Sequence, residues 1–224
     1  MIQAQQQMVS MRVLAIGSAK GGVSKTTSTL YLATRAAESM GSTAERPLVG
    51  MVDRDDSRNL TRLLHLRPEL LRPGVVLLPG TDLPPAASGL QLVIIDTPPG
   101  FMALPSLKEA HMVLVPVLPE DQGVANLILY LERIEDLKKA VSPAMRLIAL
   151  LPAMVDRTVL HRERLEEIRQ IAAHQRPPLR VLTPVPRRAR ITAFELDAPE
   201  YDEPAKELFD YAQIHTHAPA RTPR

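Results

Sequence analysis

The chain has 224 residues, of which 45% are hydrophobic, and a formal net charge of +2, so it suits one domain with a sizeable core. It contains no cysteine, which excludes a disulfide scaffold, a thiolate zinc site and an iron–sulfur cluster. No apolar run reaches the roughly 18 residues of a membrane span, and the polar start MIQAQQQMVSM lacks a signal-peptide core. We therefore expect a cytoplasmic protein with a single domain at 11–213 between flexible tails at 1–10 and 214–224.

Short apolar runs alternate with helix-like segments along the whole chain. Near-continuous Val, Ile and Leu runs are typical of parallel strands that are buried on both faces. The alternation predicts an α/β fold with a doubly wound, mostly parallel sheet and helices on both faces. The predicted strands are 13–16, 48–52, 75–78, 92–95, 112–117, 147–151 and 180–182, and the predicted helices are 26–40, 123–140, 160–174 and 204–212.

The first predicted strand runs into a glycine-rich loop and then a helix, in the sequence VLAIGSAKGGVSKTT. Strand, glycine loop and helix in this order are the context that a phosphate-binding P-loop requires. Glycines let successive backbone N–H groups point inward, and the helix N-terminus adds a partial positive charge. Lys25 would reach the β- and γ-phosphates, and the Thr26 hydroxyl would face Mg²⁺.

Two residues distinguish this loop from an ordinary P-loop. Lys20 is a second lysine inside the loop, which the general motif does not need. Ser24 stands where the motif has glycine before its lysine. If that position requires a positive φ, serine introduces strain of about 1 kcal/mol. We expect such strain to affect hydrolysis more than nucleotide binding.

Acidic residues follow two of the predicted strands. Asp53 and Asp55 come after the strand at 48–52, and Asp96 ends the segment LVIID. The carboxyl ends of parallel strands are where open α/β sheets place ligands. Beside a P-loop, Asp96 fits the Walker B pattern, whose carboxylate holds Mg²⁺ directly or through water. One carboxylate at 53–56 would hold the Mg²⁺ shell or orient the attacking water.

Together these segments resemble the ParA/MinD family of deviant Walker A ATPases. KGGVSKTT at 20–27 resembles the family's KGGxGKTT, with Lys20 as its signature lysine. VDRDDSRNLT at 52–61 is similar to the family's D-x-D-P-Q-x-N-x-T segment, although Asp56 and Ser57 replace the usual Pro-Gln. LVIIDTPPG at 92–100 matches the family's Walker B segment, and weaker similarity extends to about residue 212.

The resemblance implies an ATP- and Mg²⁺-dependent homodimer in which two subunits enclose two ATP molecules. Lys20 would act across the interface, Lys25 in its own subunit, and Asp55 would orient the water. Metal binding is assigned to Thr26, Asp53 and Asp96. The remaining predicted nucleotide contacts are Gly17, Gly21, Gly22, Val23, Ser24 and Thr27 in the loop, together with Pro186 and Arg187 near the adenine.

The resemblance also implies the type of family member. The C-terminal IHTHAPARTPR has no amphipathic pattern for a membrane, which argues against a MinD-type member with a C-terminal membrane helix. Only about ten residues precede the first strand, which argues against the larger ParA proteins with an N-terminal helix-turn-helix domain. A small, Soj-like partition ATPase remains, associated with the nucleoid and stimulated by a ParB-like centromere-binding protein. Such proteins bind DNA nonspecifically, and nine arginines against three glutamates between Arg157 and Arg190 suggest the surface. The candidate DNA contacts are Arg187, Arg188 and Arg190, then Arg162, Arg164 and Arg169.

Two other functions fit the same sequence. Ser24 and the altered pair at 56–57 are compatible with a nucleotide-dependent binding module that hydrolyses negligibly. An ATPase that positions a protein cargo rather than DNA would carry the same motifs. The helix arginines also have an ordinary interpretation, as ion pairs with Glu163, Glu166 and Glu167 on a solvated face.

Overall fold

The structure is a computed structural model that describes residues 11–140 and 147–214. The predicted N-terminal tail and residues 215–224 lie outside the described residues. Ile214 is the first residue of the predicted C-terminal tail, but it is only 7% exposed and packs into the hydrophobic core. The folded part of the chain therefore includes this residue.

Seven strands form one sheet in the described residues, and every pairing in it is parallel. The strand order is β3-β2-β4-β1-β5-β6-β7. Their bounds are β1 Arg12–Ile16, β2 Val49–Asp53, β3 Val75–Leu77, β4 Leu92–Asp96, β5 Met112–Val117, β6 Leu147–Pro152 and β7 Arg180–Val181. The chain moves from β1 to one side of the sheet and returns to the other, which is the doubly wound arrangement predicted from the sequence.

Four longer helices lie close to their predicted positions, with ends that differ by one or two residues. They are α1 Lys25–Met40, α4 Asp121–Ala140, α5 Val159–His174 and α7 Asp202–Tyr211. Three shorter helices were not predicted: α2 Asn59–Leu66, α3 Leu104–Leu107 and α6 Ala189–Thr192. Of these, α2 buries Leu60 and Leu64, which are four residues apart and so lie on one helix face.

The sheet is buried on both faces, as its apolar strands predicted. Successive residues of β1 point to opposite faces, so Leu14 and Ile16 belong to one hydrophobic cluster while Val13 and Ala15 belong to another. The first cluster contains α1 and α7, and the second contains α4 and part of α5. The two layers hold the carboxyl ends of the central strands in a fixed position.

Candidate functional site

The central strands bring the loop at 17–24 and the acidic residues to one edge of the sheet. Strand β4 lies between β1 and β2, with Asp96 in register with Ile16 on one side and Asp53 on the other. A cavity of about 520 Å³ opens at this edge. We call it the P-loop cleft, and its lining includes Gly21, Gly22, Ser24, Lys25, Thr26, Thr27, Asp55, Pro186 and Arg187.

The P-loop backbone has the left-handed geometry that glycine favours at two positions. Gly22 has a φ of 74° and Ser24 a φ of 71°. Ser24 caps α1 without a side-chain hydrogen bond to the helix, so the serine gains no local bond in return for its strained conformation. Because Ser24 has a positive φ, the strain that was expected for such a conformation is present, at about 1 kcal/mol.

Lys25 and Thr26 line the inner part of the cleft, and Asp96 is buried behind Thr26. The Lys25 side chain is largely buried, and this burial lowers its pKa, while the charges of Asp96 and Asp55 act in the opposite direction. Thr26 Oγ1 donates to Asp96 Oδ2 at 2.7 Å. Lys25 and Thr26 thus begin α1 directly opposite the end of β4.

Asp96 is buried with one unpaired oxygen. Its side chain is fully buried, and Oδ1 has no hydrogen-bond partner among the described residues. Burial raises the pKa of Asp96 to about 7, against the effect of the Thr26 bond. An unpaired carboxylate oxygen beside a threonine hydroxyl is a donor set that suits Mg²⁺, and a bound cation favours the ionised carboxylate. The residues therefore fit the predicted metal.

Asp53 and Asp55 have different surroundings although they are two residues apart. Asp53 Oδ2 accepts hydrogen bonds from Thr61 N and Thr61 Oγ1, both at 2.8 Å, and the residue is 1% exposed. This arrangement favours a structural role for Asp53, which holds α2 to β2, over direct coordination of a metal. Asp55 instead lines the P-loop cleft and contributes to the electrostatic environment of Lys25.

The outer wall of the cleft comes from distant parts of the chain. Pro186 pairs with Val155 in an isolated parallel bridge, which carries Pro186 and Arg187 to the cleft. Tyr201 also belongs to this wall, and its hydroxyl is 3.1 Å from Ser28 Oγ of α1. The cleft is also lined by residues that no local sequence motif indicates: Met154, Ile191, Thr192, Phe194 and Tyr201.

Three residues of the predicted nucleotide loop do not line the cleft. Gly17 packs beneath α4, where a Cβ atom at residue 17 would overlap the Tyr130 hydroxyl. Val23 is buried on the other side of the loop. Lys20 is exposed, and its Nζ lies 3.4 Å from Gln122 Oε1 at the start of α4. Lys20 therefore does not line the cleft of its own chain.

Residues 14–198 match the model of the CobQ/CobB/MinD/ParA nucleotide binding domain family. The chain belongs to this family. The resemblance to ParA/MinD proteins that the motifs predicted is thereby confirmed, and so is the nucleotide-binding class of the domain.

Among proteins of known role, this ParA/MinD-family chain is similar to the chromosome-partitioning ATPase Soj of Thermus thermophilus. The two are 30% identical over 199 residues, which cover 73% of this chain and 77% of that protein. The match supports the small, Soj-like type that the sequence predicted.

Solved structures share the fold across almost the whole chain. An McdA variant of Cyanothece in its ATP complex is 19% identical with a TM-score of 0.72, covering 92% of this chain and 98% of that one. A putative plasmid partition protein of Borrelia burgdorferi bound to AMPPNP is 19% identical with a TM-score of 0.66, covering 91% and 99%. Cobyrinic acid a,c-diamide synthase of Mycobacterium smegmatis with ADP and magnesium is 25% identical with a TM-score of 0.65, covering 95% and 100%. The α/β P-loop fold of this family member is therefore confirmed.

The six candidate DNA-binding arginines fall into two groups. Arg187 and Arg188 line the P-loop cleft, and Arg190 pairs with Glu200. On α5, Arg164 pairs with Glu167 and Asp121, Arg169 pairs with Glu166, and Arg162 is exposed. The ion pairs that formed the alternative interpretation are thus present for Arg164 and Arg169.

Within residues 11–140 and 147–214, no helix combines the length and the apolar character that crossing a membrane requires.

Proposed function

We propose that this protein is a ParA-type partition ATPase, which forms a dimer around ATP, binds DNA without sequence preference and segregates a chromosome or plasmid with a ParB-like centromere-binding protein. Similarity to a chromosome-partitioning ATPase over most of both chains supports the role. The position of Lys20 outside its own cleft is the observation that carries the proposal, because it leaves this lysine available to a second subunit.

ATP would lie in the P-loop cleft with its phosphates against the amide groups of Gly21 and Gly22 and the ammonium group of Lys25. Pro186 and Arg187 would face the base. Mg²⁺, held by Thr26 and Asp96, would neutralise charge on the phosphate oxygens. Asp55 would orient a water molecule whose oxygen bonds to the γ-phosphorus as the bond to the bridging oxygen breaks, releasing ADP and inorganic phosphate.

The dimer is tested by mixing two inactive variants. Lys20→Ala removes the lysine proposed to act in the other subunit, and Lys25→Ala removes the one acting in its own subunit. In a mixed dimer, one site keeps Lys25 from the first chain and Lys20 from the second. We expect each variant alone to lose at least about 100-fold of stimulated turnover.

An equal mixture should recover about a quarter of wild-type turnover, because half of randomly assorted dimers are mixed and each has one intact site. Lys108→Ala is the matched control, since this lysine is exposed on the turn after α3. Unchanged turnover in Lys20→Ala, or no recovery on mixing, would contradict the proposed arrangement.

DNA binding is proposed for the same six arginines, and it is tested on those of α5, because changing Arg187 or Arg188 would also alter the lining of the cleft. Reversing Arg162 and Arg169 to Glu should weaken ATP-dependent DNA binding and reduce its salt dependence. The double variant Arg46→Glu/Lys206→Glu has the same change in net charge at two other exposed positions. Equal losses in both double variants would assign the effect to overall charge instead.

A second candidate is a nucleotide-dependent binding module with negligible hydrolysis, and the φ of 71° at Ser24 favours it. Phosphate release in the presence of DNA and partner separates the two functions. Turnover well above that of Lys25→Ala would exclude the module. Positioning of a protein cargo instead of DNA remains a hypothesis, which loss of DNA binding with retained turnover would favour.

A further inference from the structure

The loop that carries Asp55 contains a side-chain contact outside the usual family pattern. Ser57 stands where relatives resembling this chain carry the second residue of a Pro-Gln pair. Its hydroxyl donates to Asp55 Oδ1 at 2.6 Å, and its backbone N–H donates to the same oxygen at 2.9 Å. Both residues line the P-loop cleft.

We infer that Ser57 is a positioning residue for ATP hydrolysis, whose hydroxyl fixes the carboxylate of Asp55 toward the site of the attacking water. The inference rests on the proposed function and assigns a purpose to the substitution at position 57. Ser57 itself touches no reacting atom in this role.

The backbone of Asp55 is already held on both sides. Its N–H donates to Asp53 Oδ1 at 3.2 Å, and its carbonyl oxygen accepts from Arg58 N at 2.8 Å. With the backbone fixed, Asp55 can still move only by rotation about its side-chain torsions. Two donors from Ser57 on one oxygen restrict those torsions, because rotation of the carboxylate would break both bonds.

The contact leaves the second carboxylate oxygen for chemistry. Among the described residues, no hydrogen bond to Asp55 Oδ2 is present, while Oδ1 accepts two from Ser57. Charge from Asp55 also reaches Lys25 in the inner cleft. A carboxylate with one oxygen fixed and the other open is suited to orient a water molecule.

A purely structural role for Ser57 would be to close the turn before α2. The backbone N–H of Ser57 makes that turn and is retained when serine becomes alanine, so Ser57→Ala tests the hydroxyl alone. Thr183 is a matched control, since its N–H and its hydroxyl donate to the two carboxylate oxygens of Glu207, at 2.6 and 3.1 Å, away from the cleft. Thr183→Val removes an equivalent hydroxyl–carboxylate bond.

The experiment measures kcat, the KM for ATP, the Kd of a non-hydrolysable ATP analogue and the melting temperature. Ser57→Ala should lower kcat about tenfold, with the Kd of the analogue and the melting temperature close to those of the wild type. Ser57→Thr, which keeps the hydroxyl, should restore most of kcat. Thr183→Val should leave kcat unchanged.

The possible results distinguish an error about Ser57 from an error about the proposed ATPase function. If Asp55→Asn loses turnover but Ser57→Ala keeps it, or if Ser57→Thr fails to rescue, the inference about Ser57 is overturned and the proposed function stands. A higher kcat in Ser57→Ala also overturns it, because the bond would then hold Asp55 away from the water. Wild-type turnover no higher than that of Lys25→Ala would overturn the proposed ATPase itself.

Discussion

At Ser24 a single residue departs from its motif, and the backbone shows the physical consequence. The residue keeps the left-handed conformation that the P-loop needs before Lys25, with a φ of 71°. An L-residue with a Cβ atom is strained there, and glycine is not. The loop thus adopts a left-handed turn at a residue type that is less suited to it than glycine.

Replacing Ser24 with Gly should therefore leave the free energy of unfolding unchanged or raise it by up to about 1 kcal/mol, as relief of strain offsets the greater freedom of glycine in the unfolded chain. Ser39 lies within α1, and Ser39→Gly should lower the same quantity by about 0.5 kcal/mol. Denaturant unfolding of both variants gives the comparison. A loss in Ser24→Gly as large as in Ser39→Gly would show that the strain is negligible.

At the level of elements, the strands were predictable because buried parallel strands have a plain signal. All seven apolar runs became strands, since each is bounded by polar or turn-forming residues. Helix α2 was missed because its eight residues follow a charged loop, and its stability depends on Asp53 and on burial of Leu60 and Leu64.

The candidate site likewise has a part that local sequence predicts and a part that depends on tertiary packing. Its P-loop and its acids are contiguous motifs at strand ends, so the sequence alone could indicate them. Its outer wall at Phe194 and Tyr201 depends on how α6 and α7 return to the sheet. The direction of Lys20 likewise depends on packing against α4, which no local pattern encodes.

His111, directly before β5, accepts a hydrogen bond from β1 that depends on pH. Val13 N donates to His111 Nδ1 at 3.1 Å, which requires that nitrogen to be unprotonated. Burial, and then the nearby charge of Arg12, lower the pKa of His111 from its usual 6.5. Because the pKa is lower in the folded state, the contribution to stability is complete above pH 6.5 and is lost as the pH falls through the folded value.

We expect the melting temperature of the wild type to fall more between pH 7.5 and pH 5.5 than that of His111→Asn, whose amide oxygen can accept the same bond without titrating. Differential scanning calorimetry without nucleotide provides the two curves. Parallel curves would exclude His111 as a source of the pH dependence.

For the whole molecule, the proposed function predicts that the stability of the folded state depends on ATP-dependent dimerisation. Nucleotide bound between two chains stabilises the folded state only as a dimer, so the effect must vary with protein concentration. The single-chain structure supports this expectation through the exposed ammonium group of Lys20.

With saturating MgATP, the melting temperature should rise with protein concentration, by an amount corresponding to about 1.4 kcal/mol per mole of dimer for each tenfold increase. It should stay constant without nucleotide. Lys20→Ala should show a weaker dependence if the lysine bridges the two chains. A melting temperature independent of concentration in MgATP would contradict the dimer.

The packing of Tyr130 against Gly17 also bears on how this sequence can change over time. A Cβ atom at position 17 would overlap the Tyr130 hydroxyl, and that hydroxyl is buried without a hydrogen-bond partner among the described residues. The two positions therefore cannot vary independently. Loss of the hydroxyl through Tyr130→Phe would have to come before Gly17→Ala, so in a set of diverged descendants a side chain at position 17 should occur only together with a smaller residue at position 130.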